Sequence, residues 1–283
     1  VSSATLIEKC CLIACPVAGN PTHYMVEQAF AQQDLDWRFM TFEVPEGRFG
    51  DAMRGIRALG FRGVKIAEPH QEAVLEFLDD MSDEAKLCRS VNCVTCQGDR
   101  LAGDNTEGAA LVKLVRDWVD PTGKQAVVLG AGRLARVLAS ALAATGVTSI
   151  TVACRSPGSG GRLVDLIQSG TSASASLSIL GDTPLSISPD VSILVNATSL
   201  GMDSPNTALP LNVASLHSKL VVAEVAYHSQ RTWLTREAFN QGCRVIDGVQ
   251  LYVEQTALAM RAWTGTEPDR VAMREAAEEY LGI

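Results

Sequence analysis

The sequence predicts an α/β fold in two halves, and three observations predict it. Short apolar runs alternate with helical patterns along most of the chain. One such run, AVVLG at Ala126–Gly130, breaks at Gly130-Ala131-Gly132 and passes directly into an Ala/Leu-rich helical pattern. At 283 residues, the chain is also longer than one hydrophobic core usually serves.

The first part, to about residue 105, has strand-like runs at Cys10–Ala14, Arg38–Phe42, Gly63–Ile66 and Ser90–Thr95. Between them lie helical patterns at Tyr24–Gln33, Phe49–Leu59 and Ala73–Leu78. Such alternation predicts a layer whose strands run parallel for the most part. A helix at Ala109–Trp118 then leads through Asp120-Pro121-Thr122-Gly123 into the second half. Its strands are expected at Ala126–Leu129, Ile150–Ala153, Ile193–Asn196, Leu220–Glu224 and Arg244–Ile246. Gly158–Gly161 and the Ser/Ala-rich Ser169–Ser178 read as flexible surface loops. The last part, Gly248–Trp263 and Pro268–Leu281, is helical and suited to pack back on the first half. Domains of residues 1–106, 107–247 and 248–283 follow from this reading.

A strand, a glycine turn and a helix in succession form the geometry that a bound pyrophosphate needs. Gly130 allows the tight turn, Gly132 lets backbone approach the phosphates, and Ala135 is small enough for close helix–strand packing. The helix opens at Arg133 and Leu134, so its free N–H groups and positive dipole end face the negative charge. A Rossmann-like nucleotide-binding half is therefore expected. Where the next strand ends, a free ribose 2′-hydroxyl is usually met by Asp or Glu. Here Ser149–Ala153 runs instead into Cys154-Arg155-Ser156. A cation and a hydroxyl suit a 2′-phosphate, which points to NADP, and Arg133 and Arg162 can add positive charge.

Composition narrows the function further. Hydrophobic residues make up 47% of the chain, yet no apolar run approaches the ~18–20 residues that span a bilayer. No N-terminal segment has the pattern of a secretory leader, so a cytoplasmic protein is expected. A net charge of −8 without a basic stripe argues against a nucleic-acid surface. The expected partner is a small-molecule substrate, handled by a monomer or a homodimer. Cys93 and Cys96 spell CxxC, but in a strand-like run rather than at a strand-to-helix turn. Neither they nor Cys10, Cys11 and Cys15 have the spacing of a tetrahedral site, so no metal is expected.

Several polar segments carry a family resemblance. In order they are CPVAGNPTHYMVEQAF (15–30), GFRGVKIAEPHQE (60–72), SVNCV (90–94), GDNTEG (103–108), the glycine turn, VNATSLGM (195–202), AYHSQRT (226–232) and GVQLYVEQTALAMRAWTG (248–265). Together they resemble shikimate dehydrogenases and their quinate/shikimate relatives over essentially the whole chain. The resemblance implies an N-terminal substrate domain, a central NADP domain and a C-terminal helical return, with substrate in the cleft between the lobes. It also implies reversible hydride transfer between nicotinamide and a cyclic hydroxy/keto acid, with 3-dehydroshikimate/shikimate foremost, as in aromatic amino acid biosynthesis. Asn92, Tyr227 and Gln255 match the family's substrate-side Asn, Tyr and Gln. Thr198 and Met202 fall in the wall beside the expected nicotinamide.

The chain departs from the family's pattern at several places. The family's PHKE-like segment reads Pro69-His70-Gln71-Glu72, which puts Gln71 where the catalytic lysine belongs. Its NTD segment reads Asn105-Thr106-Glu107, keeping a carboxylate that is one methylene longer. Its HSxSP segment, whose serines grip the substrate carboxylate, becomes Gly19-Asn20-Pro21-Thr22-His23, with Asn20 and Thr22 as the remaining donors.

An amide cannot exchange a proton near neutral pH, so Gln71 can orient an oxygen but not protonate it. Three readings stand. Lys65 lies two residues before Ala67, where the family has a substrate-contacting Thr. A side-chain period of two gives it the same face, and Glu107 or His70 can then act as base. Alternatively, the substrate is a different hydroxy acid, or the chain binds nucleotide and ligand without catalysis. A snorkelling surface lysine is the plainer reading of Lys65.

Overall fold

The computed structural model describes residues 7–229 and 231–283. The chain divides into two compact units. Residues up to Thr106 join Val253–Gly282 in the first, and Glu107–Tyr252 make up the second.

The first unit begins with β1 (Glu8–Ala14), α1 (Thr22–Gln32), β2 (Trp37–Glu43), α2 (Phe49–Leu59) and β3 (Gly63–Ile66). It continues with β4 (Asp80–Met81), α3 (Asp83–Cys88), β5 (Cys93–Gln97) and β6 (Arg100–Asp104). These strands form one sheet in the order β2-β1-β3-β5-β6-β4. β1 runs parallel to β2 and β3, and β4 parallel to β6. β5 alone runs against the rest, antiparallel to both β3 and β6, so the sheet is parallel for the most part, as expected, with one reversed strand. The cause is local: Gln97 and Arg100 pair across a turn whose Gly98 has φ +59°, and so short a connection joins only antiparallel strands. β6 escapes notice in the sequence because RLAGD presents two buried positions between polar or small ones. The segment read as a helix at Ala73–Leu78 is a 3₁₀ turn at Ala73–Phe77, with Val74 its buried residue.

One face of the sheet packs Ile13, Val64, Ile66 and Val94 against Phe49, Met53 and Ile56 of α2. The chain's last helices complete the unit. The Trp263 indole donates to the Val94 carbonyl at 3.1 Å. A Cβ on Gly63 would overlap that ring, so glycine there lets the indole lie on β3.

The second unit opens in α4 (Thr106–Arg116), whose first residue belongs to the first unit. Then come β7 (Gln125–Leu129), α5 (Arg133–Ala144), β8 (Ser149–Cys154), α6 (Pro157–Gly170), β9 (Ser174–Ile179) and β10 (Val191–Asn196). β11 (Val221–Glu224), α7 (Trp233–Asn240) and β12 (Arg244–Ile246) close its sheet. α8 (Gly248–Thr264) begins here and ends in the first unit, which also holds α9 (Arg270–Leu281). In the first unit α9 meets α1, where the Tyr24 hydroxyl donates to Glu279 at 2.9 Å. Two ionic hydrogen bonds of 2.6 and 3.0 Å tie Arg270 to Glu254 of α8.

The second sheet is ordered β12-β11-β10-β7-β8-β9 with every neighbouring pair parallel. Counted from β7, this is the 3-2-1-4-5-6 order of a dinucleotide-binding fold, whose strand order reverses between β7 and β10. Two segments read as loops are regular structure. Gly158–Gly161 lies inside α6, which Ser156 caps and Pro157 starts. A Cβ on Gly160 would overlap Leu177 and Cys154, so that glycine serves close packing rather than flexibility. Ser174–Ile179 is the edge strand β9, whose short polar residues hid its pairing with β8. Among the described residues no helix is long and apolar enough to cross a membrane.

Candidate active site

The glycine turn sits where the second sheet reverses. Gly130 has φ +106°, and its N–H donates to the Ala153 carbonyl at 2.8 Å. A Cβ on Gly130 would come within 2.9 Å of the Ala197 carbonyl oxygen, beyond the end of β10. Any side chain would therefore push apart the two strand ends that frame the crevice. Gly132 is the extended N-cap of α5, no side chain caps that helix, and the space above its Cα is open. An uncapped helix N-terminus beside open space fits a pyrophosphate. Ala135 is wholly buried and Leu134 half-buried in the first turn. At the end of β8, Arg155 and Ser156 are exposed. Ser159 donates its N–H to Ser156 Oγ at 3.4 Å, and its own Oγ accepts from Arg162 at 3.1 Å. Two cations and two hydroxyls between Arg155 and Arg162 suit a phosphate monoester.

Glu107 and Arg133 meet within this unit. Arg133 donates two hydrogen bonds, of 2.7 and 3.2 Å, to the two carboxylate oxygens. Their side chains keep only 16% and 10% exposure, so this pair is shielded from water as surface pairs are not. The approach of α4 to α5 permits the contact: a Cβ on Gly108 would lie 2.7 Å from that of Ala141.

A second buried carboxylate, Glu224, organises the loops after β10 and β11. It accepts from Asn196 Nδ2 at 2.9 Å, from the Ala226 N–H at 3.1 Å and from the Thr232 hydroxyl at 3.0 Å. Burial pushes its carboxyl above the usual range, while these donors pull the other way. Asn196 Oδ1 in turn accepts from the N–H and hydroxyl of Thr198. One carboxylate thus anchors both the segment carrying Thr198 and Met202 and the segment carrying Tyr227. The Tyr227 ring packs on Tyr252 with centroids 4.4 Å apart.

In the first unit, Asn92 is the hub. Its backbone is fixed by Ile66 N–H to its carbonyl and by its own N–H to the Asp104 carbonyl, at 2.9 and 3.2 Å. Its amide nitrogen donates to Gln255 Oε1 at 3.1 Å and to Thr106 Oγ1 at 3.0 Å, while Oδ1 accepts the Thr106 N–H at 2.8 Å. The residue after Gln255, Thr256, accepts from Lys65 Nζ at 3.3 Å. Lys65 is 3% exposed, so it is no snorkelling surface lysine. The ladder persists past β3, since Ala67 N–H bonds the Ile13 carbonyl at 2.9 Å. Lys65 is paired with Cys93 across the sheet, and its charge opposes the burial that pushes that thiol up to about 12.

The remaining sequence candidates are placed less favourably. Gln71 is buried, and its peptide carbonyl accepts from Val91 N–H. His70 stacks face to face on Phe49 at 4.3 Å, and its Nε2 lies 2.7 Å from the Val44 carbonyl. That packing makes it a core residue rather than a base. Thr22 is wholly buried, and its N–H donates to Asn20 Oδ1 at 3.0 Å. A grip by two hydroxyls is thus replaced by one half-buried amide and an enclosed threonine. Burial holds Cys96 up at about 11, so neither CxxC thiol supplies a thiolate near neutral pH. Among the described residues no group of three His, Cys, Asp or Glu could hold a metal.

Sequence reasoning missed Thr106, Thr256, Glu224 and the pairing of Arg133 with Glu107. Glu224 had a signal, a carboxylate closing the apolar run VVAE, because burying a charge there demands partners. The others depend on contacts across 14 to 191 residues and leave no local mark.

Known proteins place the chain in a lineage. Residues 12–94 match the family model of the shikimate dehydrogenase substrate binding domain. A shikimate dehydrogenase (NADP(+)) of Methanopyrus kandleri is 34% identical over 274 residues, covering 95% of this chain and 94% of that protein. Ligand-free 5-ketofructose reductase of a Gluconobacter strain superposes with a TM-score of 0.93 at 32% identity, covering 96% of this chain and 98% of its own. Shikimate 5-dehydrogenase from Listeria monocytogenes, solved with shikimate and NAD, gives 0.88 at 27%, covering 97% and 98%. With this sheet order, this glycine turn and this extent of likeness, the chain belongs to the shikimate dehydrogenase family.

Proposed function

We propose that the chain is an NADP-dependent oxidoreductase acting on a small cyclic hydroxy/keto acid, with 3-dehydroshikimate and shikimate as the first pair. The bound nicotinamide supplies or receives the hydride. Asn92 and Gln255 orient ring hydroxyls, and Lys65, through or beside the Thr256 hydroxyl, gives a proton to the forming alkoxide and recovers it in the oxidation. Gln71 orients without exchanging a proton, and Glu107 carries the negative charge at the head of α4. The observation that carries this reading is the buried chain Lys65–Thr256 beside Gln255–Asn92–Thr106. It sets the Lys65 ammonium against the residue that follows Gln255 in α8, one of the amides that the family resemblance assigns to substrate. Positioned proton transfer of this kind is typically worth ~10²–10⁴-fold.

A second reading has its own support. The enclosed Thr22 and the Asn20–Thr22 turn weaken the case for a carboxylate grip. The relative with a TM-score of 0.93 is named for 5-ketofructose, an uncharged ketose. Loss of NADPH absorbance with 3-dehydroshikimate, and with 5-ketofructose in parallel, separates the two. Turnover of the keto acid supports the first reading, and turnover of the ketose alone moves the substrate to the second. No oxidation of NADPH or NADH with either removes both.

A further inference from the structure

The contact between Glu107 and Arg133 joins two things that a dehydrogenase uses at different moments. Arg133 is the first residue of α5, directly after the Gly132 N-cap, where a dinucleotide's pyrophosphate is expected. Its guanidinium is nonetheless committed to the carboxylate of Glu107 by a fork of two hydrogen bonds. Guanidinium forks bind carboxylate and phosphate with the same geometry, so the two anions compete for one cation. The carboxylate cannot easily follow the guanidinium, because Gly108 is pressed against Ala141 and Val137 of α5.

We propose that Arg133 is a latch. Without cofactor it clasps Glu107; when the pyrophosphate arrives, the guanidinium passes to the phosphates and the carboxylate becomes available to the substrate. Arg133 is a positioning residue, acting on the reaction through Glu107. The inference rests on the reading of Glu107 as a base toward substrate, but its test needs no turnover.

The test is a double-mutant cycle read by NADPH fluorescence titration at fixed ionic strength, using the parent chain, Glu107→Gln, Arg133→Met and the double variant. Removing the competing carboxylate frees the guanidinium for phosphate, so Glu107→Gln binds NADPH about ten-fold more tightly than the parent. In the Arg133→Met background the same exchange changes affinity less than about two-fold. Should Glu107→Gln fail to fold, Glu107→Asp shortens the carboxylate by one methylene, loosens the fork and is read in the same titration. An NADPH affinity unchanged or weakened by the Glu107 exchange overturns the latch. So does an equal gain with and without Arg133, because a general reduction of negative charge explains it. Failure of every keto substrate would remove the substrate reading and leave this cycle untouched.

Discussion

The glycine turn after β7 and the amide cluster around Asn92 both lie by strand ends, but they are made of different material. The turn is backbone: a left-handed Gly130, an extended Gly132 and an uncapped helix N-terminus. The cluster is side chain, drawn from the approach to β5, the head of α4 and the middle of α8, with Asn92 and Gln255 163 residues apart in sequence. A backbone site breaks when any atom is added to it, whereas a side-chain site can exchange one donor for another. That difference explains how the chain keeps a complete cofactor turn while Gln71 stands where the family has lysine and Lys65 is buried six residues earlier.

The largest effect on cofactor binding is expected where backbone is altered. Gly130→Ala forces an alanine to φ +106° and drives its Cβ toward the Ala197 carbonyl. Strain of ~1–3 kcal/mol is expected. NADPH affinity should fall about 100-fold or more by fluorescence titration, a shift of ~2.7 kcal/mol. An affinity within two-fold of the parent would mean that the turn does not hold the cofactor.

Next comes Asn92→Ala, the same kind of cut in the side-chain cluster. It leaves the buried Thr106 N–H without its 2.8 Å acceptor, a loss of ~1–3 kcal/mol. Substrate KM should rise about 10- to 100-fold while NADPH affinity is unchanged. A KM within two-fold of the parent would take Asn92 out of the substrate site.

Legibility in the sequence follows the same division. The second half could be read almost strand by strand, because β7, β8, β10 and β11 are apolar runs buried on both faces of a parallel sheet. What failed there was the glycine-rich start of α6 and β9, an exposed edge strand whose serines mask Leu177 and Ile179. The first half concealed one arm of its hairpin, since the turn at Gly98 is legible but β6 beyond it, RLAGD, carries little apolar signal. In the site, Gly130, Gly132 and Ala135 were visible as a local pattern. The burial of Lys65 and the use of Thr256 were not, because they depend on α8 lying over β3.

A smaller effect tests the cofactor side away from the turn. Arg155→Gln should weaken NADP binding about five- to ten-fold and leave NAD within two-fold, since it removes one cation from the expected 2′-phosphate position. Equal loss with both cofactors would assign Arg155 to another contact.

The smallest prediction concerns Glu224. Burial raises its carboxyl above the usual 4.5, so the folded chain holds that proton more tightly than the unfolded one. The stability this contributes is present below about pH 4.5 and is lost as pH rises through the folded value. Glu224→Gln should lower Tm by a few degrees, because a Gln amide nitrogen faces donors, yet Tm should decline less between about pH 4.5 and 7 than in the parent. Parallel Tm curves for parent and variant would contradict this.

The most direct trial is single-turnover decay of NADPH absorbance at saturating 3-dehydroshikimate, comparing the parent chain with Lys65→Met. A buried ammonium acting as proton source predicts slowing by ~10²–10⁴-fold with NADPH affinity unaltered. Decay at the parent's rate in Lys65→Met would contradict the account.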